Sequence, residues 1–241
     1  MLFLSPPFGT YIHLPHTRSI KGSFTLEPRP GLFGQIWKTL HYSKEQSGWI
    51  NKIGLRNKGI DYAIDKYQNS WFPFYRNSVI SIAILDEKEI EPLLQKIPPD
   101  MDIEINVSCP NVEHSLVCSK IQGFLRPERK WCSIKLSPCT SFHDIEEYYN
   151  QGFRIFHCSN TLPVKDGGLS GPTLIPYTCN LVSLIKRKYP DTTVIAGGGI
   201  QYMNTLQTYK QFGATHFSIS SLFFHPFCFI RFYKDYVTQE I

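Results

Sequence analysis

A cysteine lies between two asparagines in residues 105–111, which have the sequence INVSCPN. The apolar start of this segment predicts a buried strand, and the polar residues after it predict a turn at the end of that strand. Folding alone does not require a thiol and two amides at a strand end. Cys109 is therefore a candidate for chemistry, and Asn106 and Asn111 are candidates for binding a small molecule. The alternative for Cys109 is a small packing residue, which is the commoner use of cysteine.

Small residues end the last two predicted strands of the chain. The sequence AGGGI occupies residues 196–200, and SISSL occupies residues 218–222. Glycines let backbone N–H groups approach an anion closely, and the hydroxyls of Ser220 and Ser221 add donors. In (β/α)8 barrels, phosphate groups commonly bind the loops after the seventh and eighth strands. The two segments together predict a phosphate site, whereas the glycines alone would fit a tight turn equally well.

Lys135 interrupts an apolar strand pattern in the segment SIKLSP. A lysine in such a strand is unfavourable unless it meets an anionic partner or reaches solvent at the strand end. A flavin would give it a role, because a cation near the N1/C2 carbonyl edge stabilises the negative charge of the reduced ring.

These residues need elements that hold them together, and short apolar runs alternate with helical patterns along the chain. The predicted strands lie around Leu4 and at residues 19–26, 79–85, 103–108, 131–137, 154–159, 192–198 and 214–220. The predicted helices lie at residues 86–97, 141–152, 177–189 and 202–213 and from Pro226 onward. Apolar strands separated by helices are typical of a parallel sheet that is buried on both faces.

About eight such units predict the α/β class and a (β/α)8 TIM barrel, with an open doubly wound sheet as the alternative. We favour the barrel because polar clusters recur at the carboxyl end of nearly every predicted strand. No linker or composition shift marks a boundary, so a single domain is expected over residues 1–241.

Composition narrows the class of protein. Lys and Arg number 25 against 20 Asp and Glu, and this mild excess is not the footprint of a nucleic-acid-binding protein. The seven cysteines contain no C-x-x-C pair, which favours reduced thiols over a disulfide framework or a metal site. The apolar stretches at both ends of the chain are interrupted by proline or charge. We therefore expect a soluble cytoplasmic protein without a membrane or nucleic-acid partner.

Taken in order, these segments resemble the dihydroorotate dehydrogenase family. The resemblance rests on INVSCPN, IKLSP, SNT, GGLSG, AGGGI and GATHFSISSLF, and further upstream on TLEPRPG and INKIGLRNKGID. It covers nearly the whole chain and implies an FMN-containing barrel that oxidises dihydroorotate to orotate in pyrimidine biosynthesis.

The resemblance also implies roles for individual residues. Cys109 takes the place of the active-site base, which is a cysteine in the soluble members of the family. The positions that match substrate-binding residues are Asn51, Asn106, Asn111, Asn160 and Thr161. The positions that match flavin-contacting residues are Lys21, Asn106, Lys135, Ser170, Gly171, Gly198, Gly199, Ser220 and Ser221.

The chain departs from the family pattern at several points. Gly31 is followed by LFGQIW where the family has Gly-Asn-Pro and a Pro-Arg. Lys21 stands four residues before Thr25, whereas the family's lysine stands three before it, which leaves Gly22 in register. The connection between the first two strands is short, so the first barrel helix is expected to be absent. Only LPVKD separates Thr161 from GGLSG, where the family has a longer loop.

These departures keep two other functions open. One is a related FMN oxidoreductase with a different ring substrate, and the other is a non-catalytic barrel that binds a flavin or a partner. The expected partners are dihydroorotate, an electron acceptor that the sequence does not identify and, as one option, a second copy of the chain in a homodimer.

Overall fold

Parallel strands close into a barrel in the computed structural model, which describes residues 1–70, 74–107 and 120–239. The strands in chain order are β1 (Leu2–Leu4), β2 (Thr17–Phe24), β3 (His41–Ser43), β4 (Gly48–Asn51), β5 (Val79–Ala83), β6 (Ile103–Asn106), β7 (Cys132–Leu136), β8 (Ile155–Cys158), β9 (Leu162–Val164), β10 (Gly167–Ser170), β11 (Thr193–Gly197) and β12 (His216–Ile219). The helices are α1 (Leu32–Thr39), α2 (Ile60–Asn69), α3 (Ile90–Lys96), α4 (Phe142–Asn150), α5 (Ile175–Lys188), α6 (Met203–Gln211) and α7 (Pro226–Thr238).

Eight of these strands form the barrel in the order β1-β12-β11-β8-β7-β6-β5-β2. The register aligns Asn106 with Lys135, and Lys135 with His157. Because all the strands run in the same direction, their carboxyl ends meet at one rim of the barrel. The predicted (β/α)8 fold is therefore confirmed, and the polar strand ends share one face of the molecule.

Two layers fill the inside of the barrel. The lower layer, which we call the apolar floor, contains Phe3, Ile20, Val79 and Ile195, with Trp131 and Ile155 packed against them. Above it, toward the carboxyl ends, lies a layer of buried polar side chains. The members of this polar layer are Ser81, Glu104, Ser133, Lys135, His157 and Ser218.

The helices cover the outside of the barrel with one apolar face each. In α4 this face consists of Ile145 and Tyr148, and a capping box between Ser141 and Asp144 fixes the start of the helix. Longer faces on α5 and α6 include Val182 and Leu206. Burial of these side chains, more than intrinsic helix propensity, stabilises helices of this length.

The connection between β1 and β2 contains a single 3-10 turn, Phe8–Thr10, within the described residues 5–16. The expected absence of the first barrel helix is thus confirmed. The residues of this connection cover the outer side of β1 and β2 in its place, and Phe8 packs its ring against Phe223 and Phe224.

A smaller antiparallel sheet has the order β3-β4-β10-β9. It joins the insertion after β2 to the hairpin after β8, and the register pairs Trp49 with Ser170 and Asn51 with Gly168. The preceding helix α1 buries none of its residues, and Phe33 and Trp37 are 85% and 91% exposed.

Crossing a bilayer requires a longer or more apolar helix than any that the described residues form.

Candidate active site

A pocket opens at the carboxyl ends of the barrel strands, where the sequence predicted a site. The predicted site residues that line it are Lys135, Asn160, Thr161, Ser170, Gly198, Gly199, Ser220 and Ser221. They come from five separate segments of the chain, and only barrel closure brings them together.

The turn after β11 presents backbone donors to this pocket. Gly198 and Gly199 have φ values of 91° and 71°, in the left-handed region that favours glycine. The Tyr209 hydroxyl donates to the Gly198 carbonyl at 2.5 Å, and the Thr178 hydroxyl donates to the Gly197 carbonyl at 2.9 Å. The N–H of a trans peptide points opposite to its carbonyl. These two hydroxyls therefore turn the amides of Gly198 and Gly199 away from the helices and toward the pocket.

Serines form the opposite wall of the same pocket. Ser220 donates to the Pro6 carbonyl at 2.8 Å, which fixes the turn after β12 against the connection after β1. Ser5 and Ser218 share a hydrogen bond of 2.5 Å where β1 and β12 close the barrel. Ser221 also lines this wall, and its hydroxyl together with the glycine amides gives a lining that suits an anionic group.

Two amides meet at the mouth of the pocket. Asn160 donates from Nδ2 to Oδ1 of Asn106 at 3.4 Å, and Asn106 donates from Nδ2 to the Ser23 hydroxyl at 3.1 Å. The Asn160 Oδ1 in turn accepts from the Thr161 N–H at 2.9 Å. This chain of contacts holds both amide planes in one orientation, as recognition of a planar polar ring requires.

Two predicted residues lie beside the pocket lining. Asn51 contacts the Gly168 carbonyl at 3.5 Å across the small sheet. Gly171 supports the turn after β11, because a Cβ added to Gly199 would lie 2.8 Å from the Gly171 carbonyl oxygen. Cys109 and Asn111 fall outside the described residues, so their assigned roles stay predictions.

Lys21 is the predicted site residue that the structure does not bring to the pocket. Its Nζ donates to the carbonyls of Gly9 and Thr10 at 3.3 and 3.2 Å, and it lies 4.6 Å from the centre of the Tyr75 ring. Its neighbour Ile20 packs into the apolar floor. Because side chains alternate across a strand, the one-residue offset seen in the sequence turns Lys21 to the outer side of the barrel.

Burial lowers the pKa of Lys21 to about 8, against 10.5 for an ordinary lysine. Between these two values the unfolded chain binds more protons than the folded chain, so the free energy of unfolding rises with pH. We expect urea unfolding to show this rise from about pH 8 to about pH 10.5 and Lys21→Met to flatten it. Lys38→Met, on the exposed side of α1, is the matched control. Equal pH slopes in the parent and Lys21→Met would contradict the assignment.

Lys135 meets an anionic partner that the sequence analysis did not identify. Its Nζ lies 4.0 Å from Glu104 Oε1, and Glu104 is completely buried. Glu104 also accepts from the Ser81 hydroxyl at 3.0 Å and lies 2.6 Å from His157 Nδ1. Lys135 is thus paired inside the barrel while it also lines the pocket.

Burial acts to raise the pKa of Glu104, but His157 and Lys135, with the hydrogen bonds from His157 and Ser81, hold that pKa below its usual range. Burial lowers the pKa of His157, and the nearby charge of Lys135 acts in the same direction, against the attraction of Glu104. At neutral pH the cluster therefore holds an ionised Glu104, a neutral His157 that donates from Nδ1, and the cation of Lys135.

A sequence signal for this cluster did exist. Glu104, Lys135 and His157 each stand between two apolar residues in a predicted strand. In a barrel, alternation of this kind places the polar member inside when its apolar neighbours face the helices. Only the lysine was singled out from the sequence.

Three further cysteines are buried in the core, namely Cys132, Cys158 and Cys179. Burial raises the pKa of Cys132 to about 12, so its thiol is not ionised at neutral pH. Cys118 lies outside the described residues.

The hydrogen-bond donors and the charge of the pocket lining fit a cofactor that carries a phosphate. Glycine amides, the Ser221 hydroxyl and one buried cation suit a phosphate joined to a ring that gains negative charge. The glycine turn keeps its shape because Gly198 and Gly199 lack a Cβ, which would crowd Leu174 at 3.0 Å and the Gly171 carbonyl oxygen at 2.8 Å. The described residues contain no group of three or more His, Cys, Asp or Glu side chains that could hold a metal ion.

Comparison with known proteins agrees with the family that the sequence motifs resemble. The family model described as dihydroorotate dehydrogenase matches residues 16–122. The catalytic subunit of dihydroorotate dehydrogenase B (NAD(+)) from Thermotoga petrophila is 27% identical, with 93% of each chain covered. The corresponding subunit from Staphylococcus carnosus is 28% identical over 76% of this chain and 69% of the relative.

Two further matches are a relative with a different named acceptor and a solved structure. A putative dihydroorotate dehydrogenase A (fumarate) from Streptococcus agalactiae is 28% identical over 66% of this chain and 62% of the relative. The crystal structure of DHODH in complex with ferulenol from Eimeria tenella has a TM-score of 0.64 at 18% identity, with 85% of this chain and 69% of that chain covered. At this identity the structural likeness concerns the fold alone.

Proposed function

Because the chain belongs to the dihydroorotate dehydrogenase family, we propose that it oxidises dihydroorotate to orotate with FMN held in the pocket of its barrel. The family assignment makes it an oxidoreductase that acts on a CH–CH group. The reaction would serve pyrimidine biosynthesis, in keeping with the names of the relatives.

One observation carries the proposal. Lys135, Asn160, the glycine turn and the serine pair come from separate segments and line one pocket at the carboxyl ends of the strands. Ligands of (β/α)8 barrels bind at this face, and phosphates commonly bind near the last two strands. The donors suit the phosphate of FMN, and Lys135 suits the ring.

FMN, when bound, would supply at its N5 the acceptor for the hydride that leaves C6 of dihydroorotate. The chain's own residues would do the rest. Cys109 is the base that removes the C5 proton, and the electron pair of that C–H bond becomes the C5–C6 double bond of orotate as the hydride leaves C6. Asn106 and Asn160 orient the ring, with Asn51, Asn111 and Thr161 as further binding residues. Lys135 offsets the negative charge that reduction adds.

A second acceptor must then reoxidise the flavin. The relatives differ in their acceptor, since one is named for NAD(+) and another for fumarate. We leave the acceptor of this chain unassigned, and cytoplasmic localisation and a homodimer remain predictions.

The experiment that tests the proposal uses the purified chain without oxygen. We expect a yellow protein whose released cofactor is FMN, and we expect its flavin absorbance to bleach when dihydroorotate is added. A protein that is colourless and takes up no added FMN would remove the basis of the proposal.

A second candidate is a related FMN oxidoreductase with a different ring substrate. It is favoured by the tight hairpin of β9 and β10 beside the mouth and by the helix α1 in the insertion after β2. A yellow protein that bleaches with another reduced ring, and not with dihydroorotate, would support it. A protein that binds FMN but is reduced by neither would support the non-catalytic alternative.

Gly199→Ala is expected to weaken FMN binding at least tenfold. A Cβ at this position would lie 2.8 Å from the Gly171 carbonyl oxygen and 2.9 Å from the Pro172 Cα, so the turn that presents the amides must shift. Fluorescence titration with FMN measures the affinity, and thermal unfolding measures any loss of fold.

Gly54→Ala is the matched control for this change. Gly54 has a similar φ of 68°, but nothing lies within 4 Å of the added Cβ. It therefore carries only the backbone strain of a left-handed alanine, roughly 1 kcal/mol. If the two variants lost FMN affinity equally, crowding at the turn would not be the cause.

A further inference from the structure

Glu104 and His157 are buried, titratable and unused in the proposed reaction. Glu104 is fully buried, and His157 is 1% exposed in the polar layer directly beneath the pocket. An ionised group in such a place is unfavourable unless its surroundings compensate it. The burial of these two titratable side chains therefore needs an explanation in terms of their contacts.

The contacts fix Glu104 in one place. The carboxylate accepts from two donors on different strands, His157 Nδ1 at 2.6 Å and the Ser81 hydroxyl at 3.0 Å. Two hydrogen bonds that anchor separate oxygens leave the carboxylate little freedom to rotate. It therefore stays 4.0 Å from the Lys135 Nζ.

This arrangement limits the charge that a ligand in the pocket meets. Both Lys135 and His157 line the pocket, while Glu104 lies behind them. An opposite charge at about 4 Å is a strong interaction even at an effective dielectric constant of about 20. A ligand in the pocket therefore experiences the Lys135 cation together with the opposing carboxylate.

The protonation of His157 would change the net charge that Glu104, Lys135 and His157 present to a ligand. The titratable groups that face it are Glu104 from β6 and Lys135 from β7, whereas β5, β11 and β12 present Ser81, Gly197 and Ser218. With Nδ1 donating to Glu104, Nε2 is the nitrogen that can accept a proton. One proton on Nε2 would change the net charge of the cluster from zero to plus one.

We propose that Glu104 and His157 form a buried proton site that sets the reduction potential of the flavin and steepens the dependence of that potential on pH. This inference rests on the proposed function. Glu104 lowers the potential, because it opposes the cation that favours the reduced ring. The hydride brings two electrons, and His157 takes up one proton from solvent at Nε2, which offsets the negative charge that reduction adds. Both residues act through Lys135 and the bound ring as positioning residues.

The test is a redox titration of the FMN-loaded protein against a reference dye, from about pH 5.5 to about pH 8.5 around the usual histidine pKa. Glu104→Gln removes the charge and keeps one oxygen to accept from His157 Nδ1. Its amide NH2 then faces the Ser81 hydroxyl, which can accept from it while donating to the Ser23 hydroxyl at 2.9 Å. We expect it to favour reduced over oxidised flavin about tenfold more than the parent at neutral pH, which is about 30 mV for a two-electron couple.

His157→Gln keeps a donor toward Glu104 but cannot take up a proton. We expect its potential near neutral pH to match that of the parent. At acid pH the parent should show an additional tenfold preference for reduced flavin for each unit fall in pH, or about 30 mV, and this variant should lack it.

The exposed pair His143 and Glu147 on α4 provides matched controls, since His143 Nε2 lies 3.4 Å from Glu147 Oε1. We expect Glu147→Gln and His143→Gln to leave unchanged both the reduction potential of the flavin and the slope of that potential against pH. If Glu104→Gln fails to fold, His157→Gln still decides the question through the slope. A yellow parent whose potential is unchanged in the variants overturns this inference alone, whereas a parent that binds no FMN overturns the proposed function as well.

Discussion

Cys109→Ala is expected to fold, to bind FMN and to lose turnover by about 10²–10⁴-fold, the usual contribution of a positioned base. The thiol is small and follows a strand end in the sequence, so its removal should cost little packing. Anaerobic stopped-flow measurement of flavin reduction by dihydroorotate gives the rate. Cys139→Ala is the control, because Cys139 is exposed on the turn that follows the neighbouring strand β7.

The pH dependence should carry the signature of a thiol. A free cysteine has a pKa near about 8.5, so only a small fraction is thiolate at neutral pH and the reductive rate should rise with pH. Cys109→Ser should retain part of the activity and require still higher pH, since a hydroxyl is a poorer base. If Cys109→Ala reduced its flavin as fast as the parent, Cys109 would be a packing residue and the non-catalytic alternative would lead.

Lys135→Ala should have three effects at once. It removes the buried cation beside the pocket, so FMN should bind more weakly and its reduction potential should fall. It also leaves Glu104 buried without that cation, and breaking a buried ion pair typically destabilises a protein by about 3–5 kcal/mol. Redox titration and urea unfolding measure these effects separately. An unchanged potential in the variant would show that Lys135 does not act on the flavin.

The double variant Glu104→Gln with Lys135→Ala separates stability from cofactor binding. Removing both charges leaves no uncompensated carboxylate, so we expect most of the lost unfolding free energy to return. FMN affinity should stay low, because the cation is still missing. A double variant as unstable as Lys135→Ala would mean that the lysine stabilises the fold through contacts other than Glu104.

Much of the fold could be predicted from the sequence. The apolar strands β5, β6, β7, β8, β11 and β12 all lie within the predicted ranges, because strands buried on both faces are marked by continuous apolar runs. The small sheet and α1 were not predicted. Their strands are only three or four residues long, too short for a distinct alternation, and α1 is a single segment of eight residues that buries none of them.

The site was predictable to the extent that its residues occupy strand ends. Lys135, Asn160 and the glycine turn were found because polar or small residues there stand out from the apolar strands. Glu104 and His157 were missed because their role depends on contacts between strands, which spacing along one strand does not give. Lys21 illustrates the same limit, since a shift of one residue decides which side of the barrel it faces.

The apolar floor has a consequence for the movement of protons. Phe3, Ile20, Val79 and Ile195 fill the barrel from below with Trp131 packed against them, so solvent reaches the polar layer from the mouth. A flavin bound at the mouth would close that remaining entrance. The imidazole N–H of His157 should then exchange with deuterated solvent much more slowly in the FMN-loaded protein than in the FMN-free protein. Proton uptake by His157 in the FMN-loaded protein would then lag behind electron transfer, so the final potential would be reached only after the slower proton has entered.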